Sequence, residues 1–357
     1  MNENHKDIFV QNYDAGVPQI IQKEFIADIE TPISSLIKIS KNEKYSFLLE
    51  SVEGGNQRGR YSILGCDPDI LWEIKKNKAK ITSLNQDLDL SFLSKNPIKS
   101  LKQLVDFSKI RKEPNSSPFP VLVGYLGYPM IQLMEKIDLN NPDEINIPDA
   151  LMIRPKLVAV FDNIKDTINI KTSIYPNKKI NAKLAFSKAN EYIDIFINRL
   201  NKDVPKKSFL KKNKKLNLNF TSNYTKKEYF KIVAKAKEYI IKGDIFQVVP
   251  SQRLKSNYNL SAQTLYRSLR RLNPSPFLVN LNFNNFGLVA SSPEILVRLR
   301  QNNVTIRPIA GTRKRGKTTN EDIELSKDLL SDEKEIAEHL MLLDLGRNDV
   351  GKVAKIG

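Results

Sequence analysis

The sequence predicts an α/β protein (α+β) with mixed, largely antiparallel sheets and helices outside. Three observations carry that expectation. Apolar runs of strand length recur between Gly, Pro or polar residues. Neighbouring runs are separated by turns short enough for hairpins. Other stretches carry a helix cap followed by apolar residues at helical spacing.

In chain order, Asp28-Ile-Glu-Thr31-Pro32 opens a helix, with Thr31 as cap and Pro32 at its first position. Tyr45–Ser51 is a strand ending before Gly54-Gly55, and Arg58–Gly65 reads as a second strand. Val121–Tyr128 carries Gly124 and Gly127 where a side chain would obstruct close backbone approach, so a buried strand turning into a helix is expected. Leu157–Phe161 and Thr167–Ile170 form a hairpin around the five-residue loop Asp162–Asp166. Lysine- and asparagine-rich residues 201–222, with Pro205, read as a linker or exposed excursion.

The pattern then changes. Thr225 and Glu228 form a capping box for a helix running to Lys242, with Tyr229, Val233, Ala236 and Ile240 on one stripe and Gly243 as terminator. Asp244–Arg253 is expected as a strand, Thr264–Leu272 as a short helix stopped by Asn273-Pro274-Ser275-Pro276. Phe277–Phe283 and Gly287–Ala290 are strands joined across Asn284–Phe286, Ile295–Arg298 pairs with Val304–Ile306, and Asp332–Val350 is helical.

Composition narrows the function. The 357 residues suffice for one large α/β domain or two ordinary ones, and 40% hydrophobic residues with 8% aromatic fit a folded soluble chain. Met1-Asn-Glu-Asn-His-Lys-Asp lacks the charged-then-apolar order of a signal peptide, and no run approaches the roughly 18 apolar residues of a membrane span, so a cytoplasmic protein is expected. One cysteine, Cys66, excludes an internal disulfide and a cysteine-based zinc site; His5 and His339 leave little nitrogen ligation. A metal here would be held by oxygen, which favours magnesium, calcium or manganese. The formal net charge of +17 invites a nucleic-acid reading, but the lysines are scattered among Ile and Asn, as at Lys76–Lys80 and Lys206–Lys215, instead of gathered on one helix with interleaved aromatics.

The chemistry concentrates in the second half. Arg307–Gly316, Glu335-Ile-Ala-Glu338-His339 and Asp344–Asp349 place a donor-rich turn, two carboxylates one helical turn apart and a dense charged cluster close together. That set suits a small, multiply anionic substrate held through a metal ion. Glu335 also reads as the partner of Asp332 in a capping box, and Glu338 as part of a solvated helix face; the acidic face they share with Asp349 in a basic chain points to half a magnesium site. Gly311-Thr312 offers a backbone N–H and a hydroxyl to a carboxylate, or is a plain turn. Glu294, on the constrained Ser292-Pro293 loop, becomes a proton donor if burial raises its pKa. His339 reads as a structural hydrogen-bonding residue.

Taken together, Leu48–Ser51, Gly243–Arg253, Asn273–Pro276, Ser292–Glu294, Arg307–Thr312, Glu335–His339 and Asp344–Asp349 resemble the large subunit (component I) of anthranilate synthase, a member of the chorismate-utilising enzymes. The resemblance spans nearly the whole chain. It implies a composite two-layer fold shared by an N-terminal segment, residues 1–200 with the tryptophan-site strand, and a chorismate-binding segment, residues 223–357. It implies that chorismate loses its 4-hydroxyl as ammonia adds at C2, after which pyruvate leaves and the ring becomes aromatic.

By motif, Glu338 would be a direct Mg2+ ligand and Glu335 a water-mediated one. Glu294 would protonate the departing hydroxyl, which leaves poorly without a proton and nearby neutralising charge. Gly311 and Thr312 would grip a substrate carboxylate. Water-adding relatives carry lysine where this chain has Gln247, and aminodeoxychorismate-forming relatives often carry lysine at Ala310; both positions favour anthranilate. Leu49, Glu50, Ser51 and Asn273, Pro274, Ser275, Pro276, Phe277 resemble a tryptophan pocket for feedback inhibition, with Phe277 and Leu278 where tyrosine and methionine are common.

Glutamine hydrolysis needs an activated cysteine beside a histidine, which Cys66 lacks locally, so a separate glutamine amidotransferase subunit is implied. The family continues past the Arg-Asn-Asp motif into a part that supplies a histidine, glycine-rich contacts and further metal glutamates. The expectation is therefore a C-terminally truncated chain with exposed apolar surface and little turnover alone. The rival readings are an aminodeoxychorismate synthase component and a noncatalytic tryptophan- or partner-binding fragment.

Overall fold

A computed structural model describes residues 3–40, 43–53, 57–85, 88–110, 117–205 and 218–355. Gly54-Gly55 and Lys206–Lys215, named above, lie outside them. Backbone contacts divide the chain into two compact units, Met1–Val204 with Tyr266–Gly357, and Pro205–Leu265.

The elements in chain order begin with α1 (Glu3–Asp14), β1 (Gln19–Ile26), α2 (Pro32–Ser40), β2 (Tyr45–Glu50), β3 (Val52–Glu53), β4 (Gln57–Arg58), β5 (Tyr61–Lys75) and β6 (Lys78–Ser83). There follow α3 (Pro97–Phe107), β7 (Val123–Leu126), a 3-10 turn (Tyr128–Leu133), β8 (Ala150–Asp162), β9 (Thr167–Ile174) and α4 (Ala182–Leu200). The remainder comprises β10 (Thr221–Ser222), α5 (Lys226–Ile241), β11 (Leu254–Lys255), α6 (Ala262–Leu272), β12 (Phe277–Phe283), β13 (Phe286–Ser292), β14 (Arg298–Arg300), β15 (Asn303–Thr305), α7 (Thr319–Ser331) and α8 (Glu333–Gly351).

One large sheet organises the first unit, in the order β1-β9-β8-β5-β2-β12-β13, with β6 added to β5 and β7 to β8. Every ladder in it is antiparallel. The join that matters is β2 with β12, where Leu278 lies opposite Glu50 and Phe283 opposite Tyr45. It puts strands from both sequence segments in one sheet. Because side chains alternate along a strand, Leu48 and Leu278 enter the core under α1, α2 and α4, whereas Phe47, Leu281 and Phe283 enter a second cluster on the opposite face.

Several expectations hold with adjusted limits. Thr31 caps α2 through its hydroxyl, which accepts from Ser34 N at 3.1 Å. Gly124 sits where an added Cβ would meet the Leu151 carbonyl carbon at 2.8 Å, but the strand it belongs to continues into a 3-10 turn instead of an α-helix. The β8–β9 hairpin pairs Asp162 with Thr167, one residue tighter than expected.

Two expectations fail. The strand predicted over Ile295–Arg298 forms instead at Arg298–Arg300, because Gln301 and Asn302 at φ +50° and +65° make a two-residue turn that sets the register. In the second unit, Asp244–Arg253 is not a strand. Asn223 binds both the N–H and the carbonyl of Arg253, at 2.8 and 3.1 Å, and Tyr229 donates to Pro250 O at 3.1 Å. Those tethers hold the segment irregular against α5, and only Leu254-Lys255 pairs, with β10. The capping box of α5 forms as expected, Glu228 accepting from Thr225 N at 2.8 Å.

Apolar side chains on the last helices are open to solvent, among them Leu330, Ile336, Leu340 and Leu345, and neither α7 nor α8 buries a residue fully. No helix among the described residues is long and apolar enough to cross a membrane.

Arg154, a charged side chain of the first unit, is only 1% exposed. Its guanidinium forks onto Asp69 at 2.7 and 2.6 Å and lies 4.0 Å from the Tyr175 ring centre. Removing the carboxylate leaves a buried charge unpaired. Asp69→Ala should destabilise the unit by about 3–5 kcal/mol in urea denaturation; a loss below about 1 kcal/mol would mean water reaches Arg154.

Candidate functional site

Residues 306–316 carry no regular secondary structure, yet they are strapped at the far end and in the middle. At the far end, Gly316 N donates to Asp322 Oδ1 at 2.8 Å and Lys317 N to Glu321 Oε2 at 2.6 Å, so the segment closes onto the first turn of α7. Arg313 ties the middle. Its Nε donates to Asp328 at 2.6 Å, Nη2 to Asp332 at 2.8 Å and Nη1 to the Thr312 carbonyl at 3.2 Å, with Glu335 Oε1 3.5 Å away. These bonds to Asp328 and Asp332 hold the Arg313 guanidinium well above its usual range, and Asp332, accepting from Glu335 N and Arg313, lies below the ordinary carboxylate value.

Asp332 also caps α8, accepting from Lys334 N at 3.1 Å and Glu335 N at 3.2 Å. Half of the expected capping box is therefore present. The Glu335 carboxylate turns away from it and lies against Gly311: a Cβ added at Gly311 would sit 2.6 Å from the carboxyl carbon and 3.0 Å from Leu329. A side chain at that position would push the flexible Glu335 carboxylate aside. Glu335 and Glu338 share the half-buried face of α8, which continues through Leu342 to Gly346, where Ile306 packs. Thr312 is exposed beside it.

The structure thus brings Gly311, Thr312 and Glu335 together, with Glu338 one turn along. It leaves others apart. Glu294 is exposed after β13, its N–H and carbonyl both bonded to the Ser292 hydroxyl at 3.2 Å, so the burial that would make it a proton donor is not supplied by the described residues. Gln247 is exposed on the second unit, and His339 is exposed on α8. Among the described residues no three metal-ligating side chains converge. Two carboxylates from one helix still fit half of a magnesium shell, which commonly takes one or two and fills the rest with water and substrate oxygen.

A second cluster lies where β2 meets β12. Glu50, 7% exposed, accepts from Tyr266 Oη at 2.6 Å and from Arg270 Nε at 2.9 Å and Nη2 at 3.0 Å. Burial, followed by the nearby Glu50 charge, drives the Tyr266 phenol far above its ordinary value. Val52 N donates to Ser275 O at 3.0 Å, and Ser291 Oγ to Asn273 O at 2.7 Å, so Leu49–Ser51 and Asn273–Phe277 form one rim. Tyr266 and Arg270 were not read from the sequence. Their spacing of four on a helix with a Glu-bearing strand elsewhere was the available signal, and it is too common to single out.

Residues 46–357 match the family of chorismate binding enzymes. The chain belongs to that family. It is 44% identical over 352 residues to anthranilate synthase component 1 of Cereibacter sphaeroides, covering 98% of this chain and 70% of that one. It is 37% identical to the protein of the same name in Aquifex aeolicus, covering 97% and 69%. The crystal structure of anthranilate synthase component I from Streptococcus pneumoniae superposes with a TM-score of 0.66 at 29% identity, over 92% of this chain and 68% of that one. The large antiparallel sheet with outer helices is thus the architecture of a chorismate binding enzyme.

In this member of the family, Gly311→Ala should displace the Glu335 carboxylate at a cost of about 1 kcal/mol, the low end for overpacking, because the colliding atoms end flexible side chains. Combined with Glu335→Ala, which removes the colliding group, the two losses should be non-additive by at least ~0.5 kcal/mol in a urea double-mutant cycle. Simple additivity would show that Glu335 does not pack on the turn.

Proposed function

We propose that this chain is the chorismate-converting component of an anthranilate synthase, a lyase that turns chorismate and ammonia into anthranilate, pyruvate and water. The observation that carries the reading is the carboxylate of Glu335 lying directly on the Gly311-Thr312 turn. A substrate carboxylate held by that turn would face a like charge, a repulsion of about 4 kcal/mol at 4 Å in a protein-surface dielectric. A divalent cation held by these glutamates would neutralise that repulsion.

Glu338 would hold Mg2+ directly and Glu335 through water. Bound there, the ion supplies charge neutralisation at the substrate carboxylate. Gly311 N–H and the Thr312 hydroxyl orient that carboxylate, and Arg313 keeps the turn against α8. Glu294 would give the departing 4-hydroxyl its proton, a role that requires bound substrate to shield a side chain exposed here. Gln247, uncharged, leaves ammonia to attack unaided.

A component-1 enzyme implies a partner component, and Cys66 supports a glutamine amidotransferase in that place. The thiol is 1% exposed and burial pushes its pKa well above the ordinary value, so it is no nucleophile. This chain would use free ammonia directly. Tryptophan would bind as feedback inhibitor at the rim of Leu49, Glu50, Ser51 and Asn273–Phe277, with Glu50, closed off by Arg270 and Tyr266, fixing the shape of that rim from beneath.

The decisive assay follows anthranilate fluorescence with chorismate, ammonia and magnesium. It is run on this chain and on a version extended with the corresponding C-terminal segment of the 44%-identical relative. Mg2+-dependent anthranilate should form in the extended version, and Glu338→Gln there should lower it by at least ~100-fold. Turnover to aminodeoxychorismate, or none in the extended version, would overturn the reading. Separately, calorimetry should detect tryptophan binding that Glu50→Gln weakens about tenfold by removing the charge-assisted contacts to Arg270 that fix the rim; equal binding would place the inhibitor elsewhere.

A further inference from the structure

We infer that Arg313 is a positioning residue that locks the substrate-gripping turn and the metal-binding glutamates into one register, an inference that rests on the function proposed above. Arg313 follows Thr312 directly and bonds its carbonyl at 3.2 Å, so the turn is anchored at the backbone. The same planar fork reaches the last turn of α7 through Asp328 and the cap of α8 through Asp332, at 2.6 and 2.8 Å. Three elements are thus held by one side chain.

The charge count explains why that position needs a cation. Asp328, Asp332 and Glu335 all face the single guanidinium. Without it, three carboxylates would repel, and Glu335 would be free to swing off Gly311. Glu335 is the least tightly held of them, at 3.5 Å. Its carboxylate is therefore steered into place yet left available to a metal-bound water, whereas Asp328 and Asp332 carry the strong bonds that fix the frame. Lysine would supply the charge but not the fork, so it should restore only part of the effect. Arg313 touches neither substrate nor ion in this scheme.

The test measures binding of Mn2+, a spectroscopic stand-in for Mg2+, by electron paramagnetic resonance with chorismate present. Wild type, Arg313→Gln, Arg313→Lys and the control Arg60→Gln are compared. The control removes an ion pair with Asp162 at 3.0 Å on the β8–β9 hairpin. Arg313→Gln should weaken Mn2+ about tenfold, the size expected for a residue orienting metal ligands. Arg313→Lys should fall between it and wild type, and Arg60→Gln should bind as wild type does. If Arg313→Gln does not fold, Arg313→Lys carries the comparison: affinity equal to wild type overturns the inference while the proposed function stands. Equal weakening in Arg60→Gln would reduce Arg313 to general stability and also overturn it. No Mn2+ binding by wild type sinks the proposed metal site, and this inference with it.

Discussion

Pairing of β2 with β12 closes a loop of more than two hundred residues, since Glu50 and Tyr266 stand 216 apart in sequence. Closure over that distance costs on the order of 5 kcal/mol in chain entropy. It is offset by complete burial of Phe47, Leu48, Leu278, Leu281 and Phe283 along the two strands, each contributing about 1.5–3 kcal/mol. Burial on two opposite sheet faces also fixes register, because a one-residue slip would carry Leu278 and Phe283 to the wrong sides. Glu50 reaches Tyr266 and Arg270, and Ser275 reaches Val52, because that register holds.

The two clusters answer charge in opposite ways. Glu50 is nearly enclosed and fully answered by Arg270 and Tyr266, so its desolvation is offset within the protein. Glu335 is half-open, only loosely met by Arg313 and pressed onto a backbone that offers donors. The first arrangement resembles a sealed joint between α6 and the sheet. The second leaves a carboxylate partly open to solvent, 3.5 Å from the guanidinium that faces it.

Membership of the chorismate binding enzymes is compatible with both features, and with their separation along the chain. The sheet that joins the two sequence segments is the family's architecture, as the superposition on the Streptococcus pneumoniae component I indicates. The Gly311-Thr312 turn is held by Arg313, which donates to the Thr312 carbonyl.

Much of the local structure was legible in the sequence, because caps and hairpins are decided by residues within four positions of one another. Thr31, the Thr225–Glu228 box, Asp332 and the β12–β13 hairpin all formed as their residue types dictate. The strand expected over Asp244–Arg253 failed because its apolar content, Phe246 and Val249, found no ladder, while Asn223 and Tyr229 offered its backbone other partners. Motifs named Glu335, Gly311 and Thr312, but only the fold laid the carboxylate on the glycine, and only the fold chose Arg313, Tyr266 and Arg270 as the groups that answer buried or crowded charge. Short-range hydrogen bonding is written in adjacent residues; a charge's partner is whichever opposite charge the packing brings near, and that is settled by three-dimensional closure.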